Sequence, residues 1–216
     1  MHLVNLAVLI PVKAFGDAKG RLAPALDQGR RERLARWTAT QVLAATAGLH
    51  PHVVCDDDEV ATWAMAHGAT VIREPTRGLN AAVDSGAAHL ASHAFDHVVV
   101  VHGDLPLPAS IAAVAAGCRA GTVTLVPDRH RDGTNLLAFP LASTFRVAYG
   151  PGSFERHITR ASDAGLTVRV VDDADLALDL DQPDDLLHPR VQQAVATALG
   201  TDLADGSTAG DGTVQP

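Results

Sequence analysis

Three groups of residues in this chain have types and spacings that could do chemistry. Asp104 follows Val98-Val99-Val100-Val101-His102-Gly103, whose four β-branched residues are apolar on both faces, as a central strand must be when helices cover both sides of its sheet. Open α/β sheets bind ligands beyond the carboxyl ends of their strands, so Asp104 stands where a metal ligand would. A carboxylate there could equally cap the helix expected over residues 108–117. The second group is Leu178-Asp179-Leu180-Asp181-Gln182-Pro183. In an extended Asp-x-Asp both carboxylates face the same side, and paired hard oxygens suit Mg²⁺ or Mn²⁺. The competing use has Asp181 capping the closing helix and Asp179 merely exposed. The third group is the loop Lys13-Ala14-Phe15-Gly16-Asp17-Ala18-Lys19-Gly20-Arg21-Leu22. Its cations, on a glycine-punctuated backbone after the first strand, could cradle a polyphosphate or simply face water.

Two further turns, Asp132-Gly133-Thr134-Asn135 and Tyr149-Gly150-Pro151-Gly152-Ser153, offer hydroxyls and backbone N–H groups of the kind a small phosphate or carboxylate needs. As plain structure they are ordinary turns with Ser153 as an N-cap. Neither Gly-x-x-x-x-Gly-Lys-[Ser/Thr] nor Gly-x-Gly-x-x-Gly after a strand occurs, which weighs against P-loop and NAD-binding Rossmann chemistry. Among the 11 histidines, His89, His93 and His97 fall four apart, but Leu90 stands where a zincin has Glu, so they are expected to face the surface. His102, next to Asp104, is expected to make a structural hydrogen bond.

The elements that must position these groups follow from hydrophobic period and breakers. Strands are expected over residues 6–12, 52–55, 70–73, 98–101, 123–126, 136–139 and 167–171, and helices over 28–47, 59–67, 78–93, 108–117, 152–164 and 184–199. Leu34, Val42 and Leu43 are core candidates of the first helix, and Asp56, Asp57 and Asp58 supply caps for the second. Residues 13–25 form a long loop, of the length that is often functional. The βα alternation breaks between residues 123 and 139, which predicts an antiparallel insertion in an otherwise parallel sheet.

With 216 residues, 47% hydrophobic and 4% aromatic, the chain can bury one sizeable core of Ala, Val and Leu, expected as a single domain over residues 1–199. Residues 200–216, mostly Gly, Thr, Asp and Ala, are expected to be a disordered tail. Cys55 and Cys118 stand alone, without zinc-ligand spacing, as in a reduced cytoplasmic protein. No leader or membrane-spanning run is evident. A net charge of −8 argues against nucleic acid as a partner and for small-molecule substrates. Yet seven of the 17 Lys and Arg residues fall between Lys13 and Arg36, and this local excess could focus an anionic ligand. Arg30, Arg31, Arg33 and Arg36 are expected on a solvated helix face, which leaves Lys13, Lys19 and Arg21 as the candidates. The state of assembly is open, a homodimer being one outcome.

Taken together and in order, Ile10-Pro11-Val12-Lys13, Ala18-Lys19-Gly20-Arg21-Leu22, Gly78-Leu79-Asn80, Gly103-Asp104-Leu105-Pro106, Asp132-Gly133-Thr134-Asn135, Tyr149-Gly150-Pro151-Gly152-Ser153-Phe154 and Asp179-Leu180-Asp181-Gln182-Pro183 resemble one family. It is the guanylyltransferase family that activates 2-phospholactate or phosphoenolpyruvate for the deazaflavin coenzyme F-420, and the resemblance spans about residues 5–190. It implies an α/β nucleotidyltransferase fold, similar to glycosyltransferase-A domains, in three layers with a mostly parallel central sheet. By the same resemblance Asp104, Asp179 and Asp181 would hold Mg²⁺ or Mn²⁺. Lys13, Lys19 and Arg21 would belong to the GTP site, with Lys19 and Arg21 on the phosphates and, with Asp104, at the reacting centre. Gly78, Leu79 and Asn80 would lie along the nucleoside, and Thr134, Gly150 and Ser153 would hold the phosphorylated acid. Arg129, His130 and Arg131 could read that acid's carboxylate or face water. The acid itself, phosphoenolpyruvate, 2-phospholactate or 3-phosphoglycerate, is a matter of pocket shape. Rival readings are a molybdopterin- or sugar-phosphate-type nucleotidyltransferase, whose glycine-rich entry loop is missing before Gly16, and a catalytically inactive nucleotide sensor. A phosphatase built on Asp179-x-Asp181 would need that motif after the first strand.

Overall fold

The computed structural model describes residues 5–75 and 78–200. Seven strands form one sheet: β1 (Leu6–Pro11), β2 (Pro51–Cys55), β3 (Thr70–Arg73), β4 (His97–Val101), β5 (Thr122–Pro127), β6 (Thr134–Pro140) and β7 (Thr167–Val170). The described residues also form α1 (Gln28–Ala45), α2 (Asp58–Ala66), α3 (Leu79–Ser92), α4 (Ile111–Ala116) and α5 (Ser153–Asp163), which cover the sheet, and α6 (Pro189–Leu199), which packs on α1. The spatial order is β3-β2-β1-β4-β6-β5-β7. All neighbours are parallel except β6, which runs antiparallel to both β4 and β5 and is the expected insertion.

Burial explains the layering. Val98, Val99, Val100 and Val101 are all fully buried. Val99 and Val101 join the core on the side of α1, α2 and α4, while Val98 and Val100 join the core under α3 and α5. β1 pairs with β2 on one edge and with β4 on the other, so the chain builds outward to β3 and returns across β1 to begin the second half. That reversal of strand order opens a crevice at the carboxyl ends of β1 and β4, the place where open α/β sheets take ligands.

A third, smaller core lies at this end of the molecule. Leu22, Leu26 and Leu34 pack there with Leu178, Leu180, Leu186, Val191, Val195 and Leu199. It joins the loop after β1, the start of α1, the 178–186 segment and α6 into one hydrophobic unit. The 13–25 loop is therefore ordered, and it holds two short 3-10 turns, Phe15–Asp17 and Gly20–Leu22.

Four expectations are corrected. The helix expected over residues 108–117 starts only at Ile111. The closing helix over 184–199 is two pieces, a 3-10 turn Pro183–Leu187 and α6, because Pro189 drives His188 out of helical geometry to ψ 124°. Gly152, in the left-handed region at φ 69°, is the residue before α5, so Ser153 is its first helical residue rather than its cap. His97 does not face the surface: it is buried, with Nε2 bonded to the Arg119 carbonyl at 3.1 Å. Of the tail expected from residue 200, only Gly200 falls within the described residues, where it ends α6. Among the described residues no helix is long and apolar enough to cross a membrane.

Two consequences can be measured. A Cβ on Gly86 of α3 would sit 2.6 Å from Cδ2 and 2.8 Å from Cδ1 of the fully buried Leu9. Gly86→Ala should therefore lower stability by about 1–3 kcal/mol in urea titration, and an unchanged midpoint would contradict this close approach of α3 to β1. Burial also lowers the imidazoles of His52 and His97 from their ordinary value, in His52 with help from His89, His50 and His93. Below their unfolded values, near 6.5, the unfolded chain takes up protons that the folded chain refuses. Thermal midpoints should fall as pH drops through the mildly acidic range, and fall less in a His52→Gln/His97→Gln double variant. An identical slope in the two proteins would be the opposite result.

Candidate active site

The 178–181 segment shows how a simple alternation builds a site. Leu178 and Leu180 are buried in the third core, and the alternation turns Asp179 and Asp181 to the opposite side, toward the crevice. The segment is pinned to the end of β4 by Leu180 N–H, which donates to the Asp104 carbonyl at 3.3 Å. Lys19 completes the knot. Its side chain is only 5% exposed, its Nζ donates to the Leu180 carbonyl at 2.7 Å, and the same ammonium lies 3.3 Å from Asp104 Oδ2. Lys19 adopts the left-handed region at φ 58°, which aims its side chain back across the crevice while the next residues enter the second 3-10 turn. Arg21 pairs with Asp181. Asp104, Asp179, Asp181, Lys19 and Arg21, from three distant stretches of chain, are thus brought together.

The capping alternatives fall away. The residue before α4 is Ser110, well past Asp104, and the turn after Asp181 is capped by Gln182 with Asp185 in a capping box. The electrostatics are those of a site that wants a cation. Burial works to raise the Asp104 carboxyl, but Lys19 and the nearby His102 outweigh it and hold the group below the usual carboxylate range. Burial, together with the charges of Asp104 and Asp185, pushes the Asp179 carboxyl up to about 7. Asp104 Oδ1 is buried and, among the described residues, lacks a hydrogen-bond partner. An orphaned carboxylate oxygen beside a strongly raised carboxyl is a donor set that fits a hard divalent cation. In the present arrangement the counter-charge comes from Lys19 and Arg21, and among the described residues no three His, Cys, Asp or Glu side chains form a ready metal cage.

Asp185 supports this turn and was missed by sequence reasoning, and Arg129, expected to read the acid's carboxylate or face water, pairs with Asp185 instead. Asp185 Oδ2 accepts from Asp181 N at 2.8 Å and from Gln182 N at 2.5 Å, while Oδ1 pairs with Arg129 Nη2 at 2.6 Å. The sequence carried a hint: a carboxylate three residues past the cap position is the capping-box spacing. Arg129 therefore braces the carboxylates. Arg131 pairs with Asp172 at 2.6 Å and lies over the Phe154 ring, and His130 Nε2 receives a bond from Arg129 Nε.

The second half of the crevice depends on an irregularity in β6. Val126 stands opposite Leu136 and Pro127 opposite Thr134, so Asn135 is an extra residue in the ladder. Plain alternation would put Thr134 on the same face as Leu136 and Ala138. The bulge reverses this: Thr134 Oγ1 meets His157 Nδ1 at 3.0 Å on the α5 side, and Asn135 Nδ2 donates to the Leu176 carbonyl at 2.9 Å on the other. Asp132 ties the same turn to α5, accepting from Gly152 N at its side chain and from Phe154 N at its carbonyl, each at 3.0 Å. Ser153 is buried, and its N–H donates to the Gly150 carbonyl at 3.0 Å. Asn80 holds this strap from α3: Tyr149 N donates to Oδ1 at 2.7 Å and Nδ2 donates to the Tyr149 carbonyl at 3.2 Å. Gly78 precedes α3 at φ 112°, Leu79 begins the helix, and Lys13 is exposed just past β1. The structural hydrogen bond expected of His102 is made by its backbone, and among the described residues none is seen from its side chain. Its backbone N–H donates to the Asn135 carbonyl, its ring lies 5.1 Å from Tyr149, and its Nε2 is buried without a partner among the described residues.

Known proteins resemble this chain in sequence and in fold. A phosphoenolpyruvate guanylyltransferase from Conexibacter woesei is 37% identical over 187 residues, covering 82% of this chain and 84% of the relative. A 3-phospho-D-glycerate guanylyltransferase from Phenylobacterium zucineum is 33% identical over 190 residues, covering 83% of this chain and 87% of its own. In solved structures, the fold is shared with a candidate nucleotide-diphospho-sugar transferase from Desulfovibrio desulfuricans, at TM-score 0.72 and 17% identity over 92% of this chain and 94% of that one. A nucleotidyl transferase from Methanothermobacter aligns at TM-score 0.60 and 14% identity over 89% of this chain and 98% of that one. The three-layer architecture is thus the nucleotide-diphospho-sugar transferase fold. The family model for "Guanylyl transferase CofC like" matches residues 6–191, nearly the whole folded chain, and this protein, a nucleotidyltransferase, belongs to that family.

Proposed function

We propose that this enzyme transfers the guanylyl group of GTP to the phosphate of a small phosphorylated acid, releasing pyrophosphate, and that it serves deazaflavin coenzyme F-420 biosynthesis in the cytoplasm. The observation that carries this reading is the knot at the strand ends, where Lys19 and Arg21 are held against Asp104 and Asp181 with Asp179 alongside. Such a site offers carboxylates for a hard cation and cations for a triphosphate within one crevice. Phosphoenolpyruvate leads the candidate acids because relatives named phosphoenolpyruvate guanylyltransferase recur, with 3-phosphoglycerate and 2-phospholactate behind it.

The chemistry asks little of a general base. A substrate phosphate is already ionised near neutral pH, so one of its oxygens attacks the α-phosphorus of GTP. A new P–O–P bridge forms, the bond to the β-phosphate oxygen breaks, and pyrophosphate departs with the electron pair. Catalysis is then positioning and charge stabilisation. Asp104, Asp179 and Asp181 would hold Mg²⁺ or Mn²⁺, which when bound would neutralise charge on the phosphates. Lys19 and Arg21 would turn from their carboxylates to the triphosphate and offset the charge growing on the leaving group. Lys13 extends this cationic edge, Gly78, Leu79 and Asn80 border the nucleoside, and Thr134, Gly150 and Ser153 take the acid.

Pyrophosphate release with GTP and each acid in turn, with product mass confirming the adduct, tests the reading. ATP, CTP and sugar phosphates serve as controls. The wild-type enzyme should turn over GTP with phosphoenolpyruvate or a close analogue, and Asp104→Asn should lose at least about a hundredfold in rate while keeping the circular dichroism of a folded protein at the assay temperature, its melting point lowered because Lys19 is left unpaired. Near-normal turnover by Asp104→Asn would remove Asp104 from the reacting centre. Tight GTP binding without pyrophosphate release for any acid would favour a sensor instead.

A further inference from the structure

His157 is an α5 residue with no exposed surface, and both of its ring nitrogens are engaged. Nε2 accepts the Ala148 N–H at 2.9 Å, and Nδ1 lies 3.0 Å from Thr134 Oγ1. An amide N–H can only donate, so Nε2 must present its lone pair. A neutral imidazole has one proton, which then resides on Nδ1. Nδ1–H therefore donates to Thr134 Oγ1, and the threonine's own hydroxyl proton must point away from the ring. The surroundings keep the ring neutral: burial first, then the charges of Arg156 and Arg160 and the nearby His102, hold it down to about 4. The rings of Phe145 and Tyr149, with centroids 6.1 and 4.9 Å away, enclose it.

Its two partners belong to the two segments that carry the residues assigned to the acid. Thr134 is the β6 residue that the bulge turns toward α5, and Ala148 opens the strap that carries Gly150 and Ser153. The strap has its own ties: those from Asn80 to Tyr149 and from Arg156 Nη2 to the Ala148 carbonyl at 2.8 Å come from helices, and that from Gly152 N–H to the Asp132 carboxylate runs to the turn before β6. His157 links the strap to a strand of the sheet.

We propose that His157 is a positioning residue that fixes the Thr134 hydroxyl as a donor and locks the 148–153 strap at the matching distance, setting affinity for the phosphorylated acid without touching it. This rests on the reading of Thr134, Gly150 and Ser153 as the acid site.

The test compares wild type, Thr134→Ala, His157→Phe and the double variant, with KM measured separately for phosphoenolpyruvate and for GTP. Phenylalanine keeps a ring among aromatic neighbours while removing both hydrogen bonds. Each single variant should raise the acid KM about tenfold or more, the worth of one hydrogen bond to a charged group, and leave the GTP KM within about twofold. Because His157 acts through Thr134, the double variant should be less than about threefold worse than the poorer single one. If Thr134→Ala leaves the acid KM unchanged, the acid-site reading itself fails. If Thr134→Ala raises it and His157→Phe does not, or if the two effects multiply, the acid site stands and the role given to His157 is overturned. Should His157→Phe not fold, the wild-type ring decides: long-range ¹H–¹⁵N correlation at pH 7 should show the proton on Nδ1. A proton on Nε2 would overturn the proposal.

Discussion

The arrangement of this molecule turns on the Lys19 ammonium, held almost out of water between the Asp104 carboxylate and the Leu180 carbonyl. A charge so placed is costly unless it is paired and hydrogen-bonded, and breaking one partner leaves the other uncompensated. What allows the cost is the small leucine core beneath it. Leu22 and Leu26 follow Lys19 in the chain, Leu178 and Leu180 flank Asp179, and their mutual burial forces the loop after β1 onto the segment before α6. Hydrophobic burial thus fixes which backbone runs beside which, and the alternation of side chains decides that the charges face the crevice.

The sheet contributes a different constraint. Because β1 lies between β2 and β4, the loop after β1 and the turn after β4 emerge side by side, so Lys19 and Asp104 need not search for each other. The antiparallel β6 then brings a turn from the opposite direction. Its start, at Thr134, lies beside the carboxyl end of β4, where Val101 is paired with Leu136. Two halves of a site with different chemistry, one rich in carboxylates and cations and one in hydroxyls and amides, meet over one strand end.

Much of this was legible in the residue order. The four valines announce a doubly covered strand, Leu-Asp-Leu-Asp announces its own two faces, and the break in βα alternation announces β6. What was not legible depended on contacts distant in sequence. The reversal of Thr134 needs the extra residue Asn135, and no local pattern marks a bulge there. The bracing of Asp181 by Asp185 and Arg129 joins residues 129 and 185, and the use of Asn80 to hold Tyr149 spans 69 positions. His157 carries no local signal in the sequence, since its role appears only when Thr134 and Ala148 converge on it. The break before α6 was readable, because Pro189 restricts His188, and the helical period masked it.

The central proposal is that the Lys19–Asp104 knot is the resting form of a site built for a divalent cation and a nucleoside triphosphate. Crystals grown with Mn²⁺ and GTP, with anomalous scattering collected from the manganese, test it most directly. The account predicts a manganese peak at bonding distance from Asp104 and at least one of Asp179 and Asp181, with Lys19 turned onto the triphosphate. Manganese bound elsewhere, with Lys19 still paired to Asp104, would contradict it.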